Sequence, residues 1–370
     1  MAVASGSPMR TLSALLICLS VMLAAASGPV EFGRSEFDRA AAEKKLRPAA
    51  PRIQTEVSED RPETFRIAAG RVSGGDIRGL MYGLLEAADQ IRARGRLVAT
   101  KGSPALPIRA VRLMIKPEDT RKDWYTSREY WPEFFATLAR SRINRLTLVF
   151  TGQRGAPADL ETLAFISHAA ADYAVELSLG IRAEDLFAAS DPASDDAGPA
   201  SLSALKSMLA ACGSARSVQI WTDEANGRKL VAFYRDWLFR AVREAGRRVT
   251  LELRQADLTP ELLEAAKDAG PPLRIAADYP NGKDTADTAG YEKLCRLEAT
   301  GPSAPHAWTD PAYVQRTMSE FRLAGCGGFE IEAPAPPGGQ ADRLFYLLWG
   351  RLGYDPKTPD SVWSKELNPQ

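Results

Sequence analysis

Short runs of alternating polar and apolar residues and longer amphipathic stretches follow one another from residue 108 onward. The alternating runs predict strands, at 111–115, 146–150, 175–181, 217–223, 249–254, 273–279, 295–299 and 328–333. Between them, apolar residues recur at helical spacing over 129–140, 160–173, 202–211, 230–245, 260–269, 311–323 and 342–352. Eight such units in about 250 residues predict an α/β fold, a closed (β/α)8 TIM barrel over residues 108–365. The pattern is weakest at 282–290, between the sixth and seventh strands.

A shorter pattern precedes the barrel. Residues 64–72 alternate like a strand, a Ser-Gly-Gly-Asp turn follows at 73–76, and residues 77–92 place apolar side chains at helical spacing. We therefore predict a small α+β domain over residues 64–107, which ends in a proline-bearing link. Residues 27–63 are polar and rich in Ala, Lys and Arg, and they predict a poorly ordered lead-in with one helical stretch near 37–45.

The first residues have the layout of a secretory signal peptide. Arg10 supplies a positive charge, residues 12–23 form an apolar run, and three alanines at 24–26 precede Ser27. This pattern predicts cleavage after Ala26 and export to the periplasm or the extracellular space. The apolar run is shorter than the roughly 20 residues of a membrane-spanning helix, so no stable membrane insertion is expected. A retained membrane anchor is the alternative.

Composition narrows the functional classes. The chain of 370 residues has 47 Lys+Arg and 47 Asp+Glu, so no basic excess indicates nucleic-acid binding. No phosphate-binding loop or dinucleotide motif occurs in the sequence, and no cofactor is predicted. Cys212, Cys295 and Cys326 follow the signal region, an odd number without metal-ligand spacing. We expect buried free thiols, no disulfide framework and no metal site.

The alternation also separates interior side chains from helix-facing ones. Leu251 and Leu253 face one way, for example, while Glu252 and Arg254 face the other. Barrel active sites lie where strands end and βα loops begin, so the last inward residue of each strand is a candidate. These residues are Lys116, Thr151, Arg182, Asp223, Arg254, Asp278, Glu298 and Glu332. Such a ring suits a polar ligand; alternatively, the charges pair with one another and fill the barrel mouth.

Four stretches resemble a known group of carbohydrate-active barrels. They are GGDIRGLMYGLLEAAD at 74–89, WPEFFATLARSRINRLTLV at 131–149, DPAYVQRT at 310–317 followed by GFEIEA at 328–333, and LWGRLGYDPKTPDSVW at 348–363. In this order they resemble the small α+β domain and barrel of family 20 hexosaminidases and bacterial α-glucuronidase-like glycosidases, over roughly residues 64–365. The resemblance implies a glycosidase acting on an oligosaccharide, with uronate- and amino-sugar-containing glycans as the candidate substrates.

On that resemblance, Asp223 and Glu224 are similar to the Asp-Glu pair of hexosaminidases, in which the Glu is the general acid and the Asp orients the acetamido group. Glu224 is then the candidate acid, with Asp223, Glu332 or Asp278 as the second carboxylate. An exposed acidic turn is the alternative for the pair. The sequence before it departs from the family: hexosaminidases carry His and Gly-Gly there, and this chain has Gln-Ile-Trp-Thr at 219–222. That departure argues against acetamido-assisted catalysis.

Aromatic and cationic residues supply candidate sugar contacts. Four aromatic residues lie near predicted strand ends or loops, where their rings could stack on sugar faces, namely Trp221, Tyr279, Trp308 and Tyr354. The guanidinium or ammonium groups of Lys116, Arg182 and Arg254 could bind the carboxylate of an acidic sugar. Asp278 and Glu298 complete the predicted substrate-binding set.

Three functions are compatible with these patterns. The leading hypothesis is an exported glycosidase that uses carboxylate acid/base catalysis. The second is a catalytically degenerate barrel that binds carbohydrate without hydrolysing it. The third is a structural barrel without a sugar ligand.

Overall fold

The computed structural model describes residues 28–46, 53–68, 70–152, 159–186, 196–221, 230–279, 287–297, 309–333 and 340–364. The predicted signal peptide lies outside these ranges. So does most of the predicted sixth-to-seventh strand connection, at 280–286. Within the described ranges, no helix is both long and apolar enough to cross a membrane.

A four-stranded sheet and two helices precede the barrel. The elements are α1 (Pro29–Glu43), β1 (Gln54–Val57), β2 (Phe65–Ala68), β3 (Arg71–Gly74), α2 (Ile77–Arg94) and β4 (Thr100–Gly102). The sheet order is β1-β3-β2-β4, in which β1 and β3 are parallel and the other pairs antiparallel. The single strand predicted over 64–72 is thus a hairpin, because the chain reverses at Gly70, whose φ of 78° favours glycine.

The lead-in before this sheet differs from the sequence expectation. The helix expected near 37–45 begins at Pro29, and α1 packs on α2 through buried side chains that include Phe32, Phe37 and Ala40. Its Glu36 is 2% exposed and accepts hydrogen bonds from Arg92 and Arg140 at 3.1 and 3.0 Å. The polar composition misled the prediction because these charges are satisfied across the helix interface.

All eight predicted barrel strands are confirmed, and they form a closed parallel barrel. The strands are β5 (Ile108–Ile115), β6 (Arg145–Phe150), β7 (Glu176–Arg182), β8 (Ala215–Trp221), β9 (Thr250–Arg254), β10 (Leu273–Asp278), β11 (Glu292–Leu297) and β12 (Cys326–Glu332). Neighbours in sequence pair in order, and β12 closes the barrel by pairing with β5, with Glu332 opposite Arg112. The architecture is therefore a TIM barrel with a small preceding domain.

Helices cover the outside of the barrel. They are α3 (Asp123–Thr126), α4 (Tyr130–Arg140), α5 (Leu160–Asp172), α6 (Ala183–Leu186), α7 (Ala197–Ala211), α8 (Val231–Phe233), α9 (Arg240–Arg243), α10 (Pro260–Ala269), α11 (Pro311–Leu323) and α12 (Gln340–Tyr354). A π-helix, Tyr234–Phe239, joins α8 to α9. Local sequence fixes several helix starts: the side chains of Asp159, Thr259 and Asp310 accept hydrogen bonds from backbone N–H groups of the first turn.

The two faces of the strands have opposite character, as the alternation predicts. Apolar side chains such as Phe329 and Ile331 are buried and belong to the main hydrophobic core, in which Phe329 also contacts the Trp349 ring of α12. Polar side chains such as Gln219, Glu252 and Glu330 lie in the interior, where Ile108, Ala110 and Leu294 form a separate small apolar cluster. Gly328 lies where the barrel closes, and a Cβ there would come within 2.5 Å of the Ile108 carbonyl oxygen.

A buried ionic cluster joins the small domain to the barrel; we call Glu63, Arg78, Arg109 and Asn144 the junction cluster. The Glu63 carboxylate accepts hydrogen bonds from Arg78 Nη1 and Asn144 Nδ2, both at 2.7 Å, and from Arg109 Nη2. Although burial alone would raise it, the guanidinium groups of Arg109 and Arg78 lower the pKa of Glu63 to about 2. The carboxylate therefore stays ionised between two guanidinium groups.

The cysteine prediction is correct for one residue and wrong for two. Cys212 is a buried free thiol, and burial raises its pKa to about 12, so it is a poor nucleophile. Cys295 and Cys326 form a disulfide between β11 and β12. Their spacing of 31 residues gave no sign of this pairing, which depends on the adjacency of two parallel strands.

Candidate functional site

Interior side chains from the ends of several strands meet at the C-terminal end of the barrel. We call this set the rim cluster, and its members are Arg112, Trp221, Arg254, Asp278, Arg296 and Glu332. Trp221, Arg254, Asp278 and Glu332 are each the last residue of their strands. Active sites of this fold are built at this end, where the βα loops begin.

Trp221 lies at the centre of the rim cluster. The guanidinium carbons of Arg296, Arg112 and Arg254 lie 4.6, 5.2 and 5.7 Å from the centroid of its ring. At these distances a cation is attracted to the negative face of an aromatic ring. The indole Nε1–H donates to Gln219 Oε1 at 3.2 Å, and the side chain remains partly exposed.

Two carboxylates of the rim cluster are held by these guanidinium groups. Asp278 accepts from Arg254 Nε and from Arg296 Nη1, each at 3.1 Å. Glu332 accepts from Arg112 Nη2 at 3.0 Å. The Asp278 and Glu332 side chains are 23% and 31% exposed, so a ligand at the rim could reach them. Each carboxylate is therefore paired with at least one guanidinium group while part of its side chain stays open to solvent.

Burial and neighbouring charge set the properties of Arg296. Its side chain is fully buried, and it lies between Asp278 and Glu330, with 3.5 Å from its Nε to Glu330 Oε1. Burial, together with the positive charge of Arg112, lowers the pKa of Arg296 from its ordinary value. The charges of Arg112, Arg254 and Arg296 are matched by the carboxylates of Asp278, Glu330 and Glu332, so a ligand at the rim meets groups of both signs.

Below the rim, the interior is filled by paired polar side chains. Glu330 accepts from Thr147 Oγ1 at 2.5 Å and from Gln219 Nε2 at 2.6 Å, and Glu252 accepts from Arg145 and Arg274. Burial would raise the pKa of Glu252, but the two arginines hold it below its usual range. At this level of the barrel the interior charges therefore pair with one another, which was the alternative to ligand binding in the sequence analysis.

Apart from two tyrosines described below, the residues predicted to act in catalysis or substrate binding divide into three groups. Trp221, Arg254, Asp278 and Glu332 come together in the rim cluster. Lys116 and Arg182 lie at the ends of β5 and β7 with exposed side chains. The predicted residues Asp223, Glu224, Glu298 and Trp308 lie outside the described residues.

Two aromatic candidates lie away from the rim cluster. Tyr279 faces the helix layer, where its hydroxyl donates to Glu320 at 3.3 Å and its ring meets Phe321 edge to face at 5.1 Å. Tyr354 is buried beside the junction cluster, and its hydroxyl donates to the Glu63 carbonyl oxygen at 2.7 Å. The expectation that Tyr354 lies near a strand end is wrong, because residue 354 still belongs to α12.

Sequence reasoning missed Arg112, Arg296 and Glu330. Each occupies an inward position on its strand, as the same alternation indicates, but only the last inward residue of each strand was considered. Arg112 belongs to the rim because it is level with Glu332, which depends on how β5 and β12 pair. That register cannot be obtained from one strand alone. Among the residues placed by the structure, no group of three His, Cys, Asp or Glu could hold a metal ion.

Comparisons with known proteins agree with this architecture. No family model and no curated protein matches the chain. Among solved structures, the chain is similar to a GH138 enzyme targeting pectin rhamnogalacturonan II, with a TM-score of 0.70 and 14% identity over 90% of this chain. It is also similar to CpGH84B, with a TM-score of 0.54 and 12% identity over 89% of this chain.

The chain spans 62% of the length of each of these two structures. At 14% and 12% identity, these similarities show a shared fold alone. The structural neighbours are thus barrel glycoside hydrolases, and neither of them is a family 20 hexosaminidase or an α-glucuronidase by name.

Proposed function

We propose that this protein is a carbohydrate-active barrel of the glycoside hydrolase type, which binds an oligosaccharide at the rim cluster. The observation that carries the proposal is the partly exposed Trp221, surrounded by three guanidinium groups and two carboxylates at the C-terminal end of a closed barrel. An indole can stack on a sugar face, while arginines and carboxylates bind hydroxyl and carboxylate groups. Glycoside hydrolases among the structural neighbours support the same class.

We propose hydrolysis with Glu224 as the general acid and with Asp223, Glu332 or Asp278 as the second carboxylate. A glycosidase of this type needs one protonated and one ionised carboxyl group. Glu332 and Asp278 are paired with arginines, and we assign them the role of the second carboxylate. The acid must then come from elsewhere, and Glu224 follows Trp221 by three residues in the sequence.

For the substrate we propose uronate-containing glycans, with amino-sugar glycans as the alternative. Arg254 is 26% exposed and lies against Trp221, so its guanidinium could bind a sugar carboxylate beside the ring. Lys116 and Arg182 add exposed positive charge at the ends of β5 and β7. The hexosaminidase-like or α-glucuronidase-like assignment stays part of this proposal.

Turnover of defined glycans tests the catalytic part. Purified protein would be incubated with chromogenic glycosides, uronate oligosaccharides and rhamnogalacturonan II fragments. Glu224→Gln is expected to lower kcat by at least about a hundredfold, since general acid catalysis contributes that much. Glu332→Gln should lower it as well, whereas Glu161→Gln, on an 85% exposed side chain of α5, should leave it unchanged. Turnover that survives Glu224→Gln would contradict the assignment of the acid.

The second candidate is a barrel that binds carbohydrate without hydrolysing it. It is favoured by the pairing of both described rim carboxylates, Asp278 and Glu332, with arginines. Binding of uronate oligosaccharides by calorimetry, without product formation over days, would select this candidate. Absence of both binding and turnover across the panel would reject the carbohydrate proposal.

We also propose that the protein is exported after cleavage behind Ala26. The Cys295–Cys326 disulfide supports this, because disulfides form and persist mainly in oxidising compartments. Intact mass of protein recovered from the periplasm or medium of an expressing bacterium should match a chain beginning at Ser27. Recovery of the full-length chain in the cytoplasmic fraction alone would contradict export.

A further inference from the structure

A buried glutamine connects the interior charges to the rim cluster. Gln219 lies in β8, two residues before Trp221, and is 1% exposed. Its Nε2 donates to Glu252 Oε2 at 3.0 Å and to Glu330 Oε2 at 2.6 Å. Its Oε1 accepts from the Trp221 indole Nε1–H at 3.2 Å. Both amide protons and the carbonyl oxygen are therefore engaged.

The two carboxylates determine which way the amide points. Glu252 is held by Arg145 and Arg274. Glu330 is held by Thr147, Arg112 and Arg296. A rotation of the amide by 180° would aim its carbonyl oxygen at both carboxylates. It would also place its NH2 group against the indole N–H, so that three hydrogen bonds would be replaced by repulsive contacts in a buried environment.

The fixed amide in turn restricts the indole. Residues 219 and 221 project to the same side of β8, because side chains two apart along a strand share a face. Since Gln219 Oε1 points at Trp221, the Nε1 edge of the indole is held toward the barrel interior. The ring is thereby kept in the position at which the three guanidinium groups lie around it.

We propose that Gln219 is a positioning residue that sets the orientation of Trp221 for ligand binding. The part of this proposal that concerns ligand binding rests on the carbohydrate-binding function proposed above. The effect of Gln219 on the orientation of the indole does not. Gln219 itself is enclosed and does not touch a ligand at the rim. Glu252 and Glu330 fix the amide of Gln219, and the amide in turn fixes the indole of Trp221.

Hydrogen exchange of the indole N–H tests the proposal without a ligand. The chain has seven tryptophans, and in 15N-labelled protein the Trp221 indole signal is identified by its loss in Trp221→Phe. In Gln219→Met, which keeps the length of the side chain without its polar groups, we expect this N–H to exchange about fivefold faster or more, the effect of losing a hydrogen bond of about 1 kcal/mol. The Trp131 indole, which is fully buried and donates to the Tyr125 carbonyl at 2.7 Å, should be unchanged.

A matched variant controls for the loss of a buried glutamine as such. Gln90 is 7% exposed and bonds Thr100 and the backbone of Val98 in the small domain. Gln90→Met should leave Trp221 exchange at the wild-type rate. Equal exchange of Trp221 in wild type and Gln219→Met would overturn the proposal.

Two further measurements complete the test. If Gln219→Met does not fold, wild-type protein still decides, because a Trp221 indole that exchanges as fast as an exposed indole contradicts the hydrogen bond. If it folds, affinity for the oligosaccharide that the wild type binds should fall in Gln219→Met while kcat changes little. Faster indole exchange with unchanged affinity would support positioning of the ring and contradict its role in binding. Failure of the wild type to bind any glycan would reject only the proposed function.

Discussion

The junction cluster and the rim cluster use the same chemistry at different places in the molecule. In both, arginines hold carboxylates through hydrogen bonds. The Glu63 and Arg109 side chains are 6% and 0% exposed, whereas Asp278, Arg254 and Glu332 are 23%, 26% and 31% exposed. A cluster of charged residues alone therefore does not identify a ligand-binding site. Access to solvent separates a cluster that fixes two parts of the chain from one that can exchange partners with a ligand.

Removing the charge at the junction is expected to have the largest effect. Glu63→Gln leaves the buried Arg109 without its counter-ion and should lower the free energy of unfolding by about 3 to 5 kcal/mol. Glu56→Gln is the control, since the Glu56–Arg71 pair is about half exposed and should cost at most about 1 kcal/mol. Urea unfolding of both variants measures the difference. Similar losses in the two would mean that the junction cluster is not a buried ionic unit.

The junction cluster should also produce an acid-sensitive stability. The pKa of Glu63 falls from an ordinary value of 4.5 to about 2 on folding. A lowered folded-state pKa gives stability that is fully present above pH 4.5 and is lost as the pH falls toward 2. The loss should reach about 3 kcal/mol, at about 1.36 kcal/mol per pH unit.

Unfolding measured between pH 2 and pH 6 checks this expectation. Wild type should lose stability more steeply than Glu63→Gln, which has no carboxyl group to protonate at this position. Parallel curves for the two proteins would show that another carboxylate controls the acid response.

At the rim the same kind of change should affect stability less. Asp278→Asn removes a partner of Arg254 and Arg296, but Arg296 keeps Glu330 and solvent reaches Arg254. We expect a loss of about 1 to 2 kcal/mol, between the values for exposed and buried pairs. Thermal and urea unfolding beside Glu63→Gln measure it. A loss as large as that of Glu63→Gln would mean that the rim is sealed in solution.

The fold could be predicted from the sequence because it repeats one local signal. Each barrel strand carries its own alternation, so errors at individual boundaries did not change the count of eight. The helix α1 was missed in part because its charged residues are satisfied only by Arg92 and Arg140, which are distant in sequence. The hairpin at Gly70 was missed because alternation continues through the turn.

The candidate site was predicted less completely for a related reason. Arg254, Asp278 and Glu332 were proposed as the last inward residues of their strands, and Trp221 as an aromatic residue near a strand end. Arg112 and Arg296 could not be found, since their place at the rim depends on the stagger between neighbouring strands. The Cys295–Cys326 bond was missed for the same reason. Tyr354 and Tyr279 were proposed as sugar contacts because they lie near predicted strand ends or loops. Position in the sequence does not determine which way a side chain at the end of an element faces.

The closure between β5 and β12 has a consequence for how the chain acquires its structure. Hydrogen bonds across this closure join partners 218 and 220 residues apart, from Arg112 to Glu330 and to Glu332. During synthesis one edge of β5 stays unpaired until β12 has emerged from the ribosome. Contacts of such long sequence separation slow folding, and open strand edges favour aggregation. A nascent chain that stalls before residue 326 should therefore depend on chaperones.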